Sequence, residues 1–321
     1  MNDKNIRPIN IDDYIGQNTI KENLSVFIKA AKMRDECLDH ILLYGPPGLG
    51  KTTLAHIIAN EMNTNIKVCS GPSFEKIGDL AAVLSALEEG DILFIDEIHR
   101  IPKFIEEMLY PALEDYEFDI IISNEGKSKS IKIDLPPFTL IGATTKIGNL
   151  TSPLRSRFAI TFKFNFYNND ELGNIILRTS DVLGIDIVEN AEKIIALSSR
   201  KTPRIANNLL KRIRDYACVN NQNKITPILV RDSLKKLEVN KNGLNALDIF
   251  YLEVLVINFK GGPVGIESIS KVMNEDISTI EDVIEPFLIQ SNYIRRTLRG
   301  RIALLKVNKV ITKKDEIDGN N

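Results

Sequence analysis

The stretch Gly45-Pro46-Pro47-Gly48-Leu49-Gly50-Lys51-Thr52-Thr53 combines glycines, a lysine and two hydroxyls at the spacing G-x-x-x-x-G-K-[ST]. That spacing suits the polyphosphate of a nucleotide. Gly48 and Gly50 carry no Cβ, so backbone N–H groups can turn inward onto phosphate oxygens. Lys51 can reach the β- and γ-phosphates as a point charge, the Thr52 hydroxyl can ligate Mg²⁺, and Thr53 offers a further donor. A second chemical stretch is Asp91-Ile92-Leu93-Phe94-Ile95-Asp96-Glu97-Ile98-His99, an apolar run that ends in two acids. Asp96 is expected to hold Mg²⁺ largely through water, and Glu97 to polarise an attacking water as general base. A third run, Phe138-Thr139-Leu140-Ile141-Gly142-Ala143-Thr144-Thr145, ends in hydroxyls. A hydroxyl there, taken as Thr145, can sense a γ-phosphate or orient water. Arg155 and Arg157 follow on a short predicted helix. Arginine suits a phosphate in a transition state, although a solvated pair is the plainer reading.

These residues need a scaffold that brings them together. Ile41-Leu42-Leu43-Tyr44 reads as a buried strand before the phosphate loop, and Leu54, Ile57, Ile58 and Met62 give one apolar helical face after it. Buried parallel strands deliver such ends to one edge of a sheet, where α/β folds bind ligands. Thr19 and Glu22 have capping-box spacing ahead of a stripe of Ile20, Leu24, Phe27, Ile28 and Ala31. Ile66–Cys69 reads as a strand, and Asp79–Glu89 and Phe104–Leu113 as helices. Residues 118–135 read as a hairpin with a polar tip at 123–130, either a plain surface feature or a finger for a partner or DNA.

Beyond Phe166 the pattern turns helical. Asp170–Val182, Ala191–Ser198 and a helix opening at Thr202-Pro203 are amphipathic, the last through Ile205, Leu209, Ile213 and Tyr216. Residues 239–243 read as a linker. Leu244–Phe259, Ile266–Met273 and a helix capped by Ser278 and Glu281, with a kink or break at Pro286, precede two short strands around a basic turn. Three helices and a strand–turn–strand form a winged-helix pattern. The fold class expected is α/β, a P-loop domain over residues 1–166 with a parallel sheet, then a helical lid over 167–238 and a winged-helix head over 239–312. Residues 313–321 are polar and expected to be a disordered tail.

Forty-one Lys and Arg against 43 Asp and Glu leave a net charge of −2, so any nucleic-acid surface has to be local. Arg295, Arg296, Arg299 and Arg301 supply such a patch. Cys37, Cys69 and Cys218 and the histidines His40, His56 and His99 lack disulfide or zinc spacing. No apolar run reaches membrane-span length and the N-terminus lacks a signal-peptide core, so the expectation is a cytoplasmic protein.

Phosphate loop, acid pair, hydroxyl-ended strand, arginine pair and helical lid together resemble the AAA+ ATPases. Longer strings resemble the RuvB family of Holliday-junction motors. They are Asp13-Tyr14-Ile15-Gly16-Gln17, Leu43–Thr53, Leu93–Arg100, Leu135–Thr145, Thr202-Pro203-Arg204-Ile205-Ala206-Asn207 and Gly261-Gly262-Pro263-Val264-Gly265. The resemblance implies that ATP is contacted by Ile6 and Arg7, by Glu114, Asp115 and Tyr116, and by Gly48, Gly50, Lys51, Thr52 and Thr53. It further implies lid contacts from Tyr167 and Arg204, and Arg157 as an arginine finger acting on a neighbouring subunit. It implies a homohexameric ring on duplex DNA, RuvA as loader, RuvC as resolvase, and Arg296 and Arg301 at the DNA. The chain departs from the family at Lys146, where arginine is usual, and at Leu298, where proline is usual. A clamp-loader-like switch and a winged-helix regulator with a structural nucleotide are the competing readings. Glu97 opposes the second, because mere binding needs no general base.

Overall fold

The computed structural model describes residues 6–124, 127–308 and 310, with the backbone alone over 120–131. The chain divides into two compact units, Met1–Tyr167 and Asn168–Asn321.

The first unit is built on a parallel sheet. Helix α1 (Asn18–Arg34) buries Ile20, Leu24, Ile28 and Ala31. Its expected capping box at Thr19 and Glu22 does not form. The helix starts at Asn18 behind a left-handed Gln17, which puts Thr19 inside the first turn. Strand β1 (Ile41–Tyr44), helix α2 (Lys51–Met62), β2 (Ile66–Ser70), α3 (Ile77–Ser85), β3 (Ile92–Asp96) and α4 (Lys103–Glu114) follow. Helix α3 starts and ends earlier than the expected Asp79–Glu89, leaving buried Leu87 outside it. Next come the antiparallel β4 (Glu117–Asn124) and β5 (Lys127–Asp134), then β6 (Thr139–Thr144), α5 (Ser152–Ser156) and β7 (Ile160–Lys163). The polar tip at 123–130 lies outside the residues whose side chains are described, and so does the tail at 313–321.

The strands pair in the order β2-β3-β6-β1-β7, all parallel. Ile41, Leu42, Leu43, Leu93, Phe94, Ile95, Leu140 and Ile141 have no exposed surface, as expected for strands covered on both faces. Parallel pairing puts every strand's C-terminal end on one edge. The phosphate loop leaves β1 there, and the ends of β3 and β6 lie beside it.

The second unit begins with α6 (Asn169–Leu183), closed by a capping box between Asn168 and Glu171. Strand β8 (Asp186–Ile187), α7 (Ala191–Leu197), α8 (Pro203–Val219), β9 (Lys224–Ile225) and α9 (Pro227–Lys236) complete a helical group. Ala206, Leu209, Leu210, Ile213 and Ala217 form the buried stripe of α8, while Ile205 and Tyr216 are half-buried.

Helix α10 (Ala246–Glu253) runs on into a π turn at Val254–Asn258, and α11 (Ile266–Met273) follows. Helix α12 (Ile277–Thr279) widens into a second π turn, Ile280–Ile284, before α13 (Glu285–Gln290). The expected Ser278–Glu281 box is absent, because the helix opens at Ile277 behind Asp276. The break expected at Pro286 takes the form of that widened turn. Proline has no N–H for the carbonyl four residues back, and the turn lies directly before it. Strands β10 (Ile294–Thr297) and β11 (Gly300–Ala303) form an antiparallel hairpin over a core of Tyr251, Leu255, Ile269, Ile284, Leu288 and Tyr293. Helices and hairpin together make a winged helix.

Candidate functional site

The phosphate loop is braced from behind. Tyr167 donates to the Leu49 carbonyl at 3.2 Å and Tyr14 to the same oxygen at 3.4 Å, and the two hydroxyls are 3.3 Å apart. Both tyrosines are buried, and burial followed by the neighbouring Tyr167 pushes the Tyr14 hydroxyl pKa well up. Gly50 has φ +100°, and a Cβ there would stand 2.7 Å from the Tyr14 hydroxyl. Glycine is therefore required by both backbone and space. The buried Lys51 ammonium donates to the carbonyls of Gly45 and Pro46 at 2.7 and 3.0 Å. Thr52 and Thr53 are half-buried in the first turn of α2. The leader is fastened to α2, since Ile11 N–H donates to Glu61 and Asn60 donates to the Ile9 carbonyl. Arg7 is exposed and Ile6 half-buried; burial and then the Arg7 charge hold the His56 pKa down.

Beside the loop, β3 and β6 deliver the acids and hydroxyls. The Gly45 N–H donates to the Thr144 carbonyl at 3.2 Å, which ties the loop to the end of β6. Asp96 accepts the Glu97 N–H at 3.0 Å. Glu97 is left-handed, with φ 50°, and turns its carboxylate toward β6. There Thr145 donates to Oε2 at 3.2 Å, and His99 Nδ1 lies 3.2 Å from the same oxygen and 2.9 Å from Thr144 Oγ1. A carboxylate held by a hydroxyl and an imidazole, next to a glycine-rich loop, can orient water for attack on a phosphorus atom. No group of three or more His, Cys, Asp or Glu among the described residues could hold a metal ion alone. One hydroxyl from Thr52 and one carboxylate from Asp96 fit an ion that keeps its waters and shares phosphate oxygens.

Arg157 lies on the opposite edge. Its Nη2 donates to Glu114 at 2.9 Å, its Nη1 donates to the Pro153 carbonyl at 2.8 Å, and its guanidinium sits 4.4 Å above the Tyr110 ring. Its Nε is buried with no hydrogen-bond partner among the described residues. The start of β7, three residues on, pairs with His40 ahead of β1. Tyr116 packs edge-on against His40 and Phe138, both at the N-terminal ends of strands. Glu114 and Asp115 are exposed beside it. Glu114, Asp115 and Tyr116, expected at the nucleotide, therefore lie at the sheet edge opposite this chain's own phosphate loop. The four residues of β1 alone span about 13 Å between the two edges.

In the second unit, Arg204 is exposed in the first turn of α8. In the wing, Arg295, Arg296 and Arg299 are exposed, but Arg301 is mostly covered, with 13% of its side chain accessible. Arg296 and Arg301 both bond Glu285 of α13, an acid that lies outside the basic turn in sequence.

Three family models cover the chain in order. They are described as the Holliday junction DNA helicase RuvB P-loop domain over residues 6–164, the RuvB AAA lid domain over 167–240 and the RuvB C-terminal winged helix domain over 241–311. The chain belongs to the RuvB family. It is 55% identical over 301 residues to the Holliday junction branch migration complex subunit RuvB of Phytoplasma mali (strain AT), covering 94% of this chain and 91% of that one. It is similar to the solved RuvB Holliday junction branch migration motor of Thermotoga maritima, at TM-score 0.87 and 45% identity over 96% of this chain and 98% of that chain. A mutant form of the same protein matches at TM-score 0.89 and 45% identity, over the same shares. RuvB membership makes the chain an AAA+ P-loop ATPase, and excludes a regulator that holds its nucleotide only as structure.

Three residues of the site were not singled out in the sequence. Tyr14 lies in a leader that alone reads as a plain loop. His99 ends the acid-bearing stretch but gives no sign in sequence of its contact with Glu97 and Thr144. Tyr110 is one more apolar position on α4. Each acts through a contact made across the fold, at separations of 35 residues for Tyr14 with Leu49 and 45 for His99 with Thr144.

Proposed function

We propose that this chain is an ATP-driven motor that moves duplex DNA through Holliday junctions in recombination and repair. The observation that carries this reading is the separation of Arg157 from the Lys51–Glu97 edge. One copy cannot bring its own arginine to its own phosphate loop. A neighbouring copy can, with Arg157, Glu114, Asp115 and Tyr116 facing the nucleotide held by Gly48, Gly50, Lys51, Thr52 and Thr53 of the first. Such a head-to-tail contact supports a closed homohexamer.

In that arrangement Glu97 takes the proton of the attacking water while Thr145 and His99 fix its carboxylate. Lys51 and the neighbour's Arg157 stabilise charge on the transferring phosphoryl group. Thr52 and Asp96 would hold Mg²⁺, which offsets phosphate charge when bound. Ile6 and Arg7 serve the adenine side, and Tyr167 acts through the loop it braces. Arg204 of the lid reads the nucleotide state, and the wing arginines grip the DNA backbone. RuvA as loader through the 118–135 hairpin, RuvC as resolvase and a cytoplasmic site of action complete the reading. No helix among the described residues is long and apolar enough to cross a membrane.

Mixing two inactive variants tests the carrying observation. Arg157→Ala and Lys51→Ala rings recover ATP hydrolysis when combined, because some interfaces pair an intact loop with an intact arginine. Absence of recovery in demonstrated mixed rings overturns the trans arrangement. Migration of a synthetic four-way junction, with and without the loader, tests the motor.

A further inference from the structure

Arg296 and Arg301 stand directly opposite each other across the β10–β11 hairpin. Two like charges at that position repel. Here a carboxylate separates them. Glu285, with a fully buried side chain, accepts Arg296 Nε at 2.6 Å and Arg301 Nε at 2.8 Å, and Tyr251 donates to it at 2.9 Å. Burial, then the Glu285 charge, drives the Tyr251 hydroxyl pKa far up, so it remains a donor. The strand bearing Arg301 is pinned on its other side as well. Arg301 and Val264 exchange both backbone hydrogen bonds, at 2.8 and 3.0 Å. Gly300, at φ +126°, allows this approach, since a Cβ there would lie 2.2 Å from the Val264 carbonyl oxygen.

One helical turn before Glu285 stands Glu281. It accepts Arg301 Nη2 at 3.0 Å and lies 4.0 Å from Arg296 Nη2. Unlike Glu285 it is open to water, with 40% of its side chain exposed, and the Arg296 guanidinium beside it is 45% exposed. Two guanidiniums thus face two carboxylates, and only the outer carboxylate and the outer arginine are within reach of a ligand.

We propose that the two acids divide the work of the wing: Glu285 positions the arginine pair, and Glu281 competes with DNA phosphate for its outer member, Arg296. The inference rests on the reading that the wing grips the DNA backbone. A phosphodiester oxygen approaching Arg296 has to displace Glu281 or lie beside its charge. Glu281 therefore weakens the grip of each wing on duplex DNA and sets how far salt loosens it. Glu285, sealed beneath, keeps both guanidiniums in place whether or not DNA is bound.

The test measures binding of the full chain to a fluorescent duplex between about 50 and 200 mM salt. Glu281→Gln binds more tightly, by up to about fivefold per engaged wing, the size of one exposed charge pair. A gain of this kind cannot come from misfolding. Glu285→Gln binds more weakly and lowers the melting temperature, while Glu281→Gln leaves melting close to that of the parent. Binding by Glu281→Gln equal to or weaker than the parent, with Arg296→Gln clearly weakened, overturns the competition and leaves the wing as DNA surface. Unchanged binding in Arg296→Gln and in the Arg295→Ala, Arg299→Ala double variant overturns the wing reading itself.

Discussion

Glu114 accepts a hydrogen bond from Arg157 at 2.9 Å on the sheet edge opposite the phosphate loop. The carboxylate and the Tyr110 ring together aim a guanidinium whose Nε still lacks a partner among the described residues. Removing the aim differs from removing the arginine. Arg157→Ala keeps ATP affinity and loses on the order of 10³-fold or more in hydrolysis. Glu114→Ala keeps affinity and loses about two- to fivefold in kcat, the size of a half-exposed ion pair. Steady-state hydrolysis beside nucleotide binding separates the two; equal losses would show that Glu114 does more than aim.

Glu97→Gln separates binding from chemistry. The amide still accepts from Thr145 but cannot take a proton from water. Hydrolysis falls by about 10²–10⁴-fold while bound ATP is retained. Nucleotide retention on a spin column checks the first half and phosphate release the second. Parent-rate hydrolysis would remove Glu97 from the role of base.

The tyrosine brace predicts a graded loss. Tyr167→Phe leaves the Leu49 carbonyl with the longer Tyr14 bond, at a cost of about 1 kcal/mol. Tyr14→Phe with Tyr167→Phe strips that oxygen of both donors and costs roughly 1–3 kcal/mol, with weaker nucleotide binding. Gly50→Ala fails more completely, since its Cβ meets the Tyr14 hydroxyl at 2.7 Å. Thermal melts with and without nucleotide read all three.

Asp248 gives the second unit a pH dependence. Its side chain is buried against Arg200, which donates at 3.1 Å, donates again to the Val283 carbonyl at 3.0 Å, and lies over the Phe287 ring. Burial lifts the Asp248 pKa from 3.8 to about 6, although Arg200 pulls it the other way. Between those values the folded chain holds a proton that the unfolded chain has released, so stability falls as pH rises from about 4 to 6. The loss, at most about 3 kcal/mol, is complete above pH 6. Melts of the parent at a series of pH values show the slope, and Asp248→Asn removes it. A slope retained in Asp248→Asn assigns it to another group.

The catalytic edge was legible because its cues are local. Glycine spacing, four-residue apolar runs and the acids or hydroxyls ending them lie within single strands and loops. The wing was only partly legible. Read along the chain, Arg295 to Arg301 form a turn without acids, yet Glu281 and Glu285 pair with two of its four arginines from a helix up to 20 residues upstream. The π turn at Ile280–Ile284 hides this in sequence, because an extra residue in the turn alters the phase by which a facing pair would be recognised. The two capping boxes failed for a related reason. Thr19 and Ser278 have the right spacing to their glutamates, but the helices begin one residue ahead of them.

The opposition of Arg157 and the phosphate loop also fixes how copies can be counted. In the head-to-tail row proposed above, every junction would complete one hydrolytic centre. The row always ends with a cradle that no arginine serves and an arginine that serves no cradle. Adding copies lengthens the row without curing either end. Only joining last to first makes centres equal copies, so full activity for each chain is a property of closure and not of concentration alone.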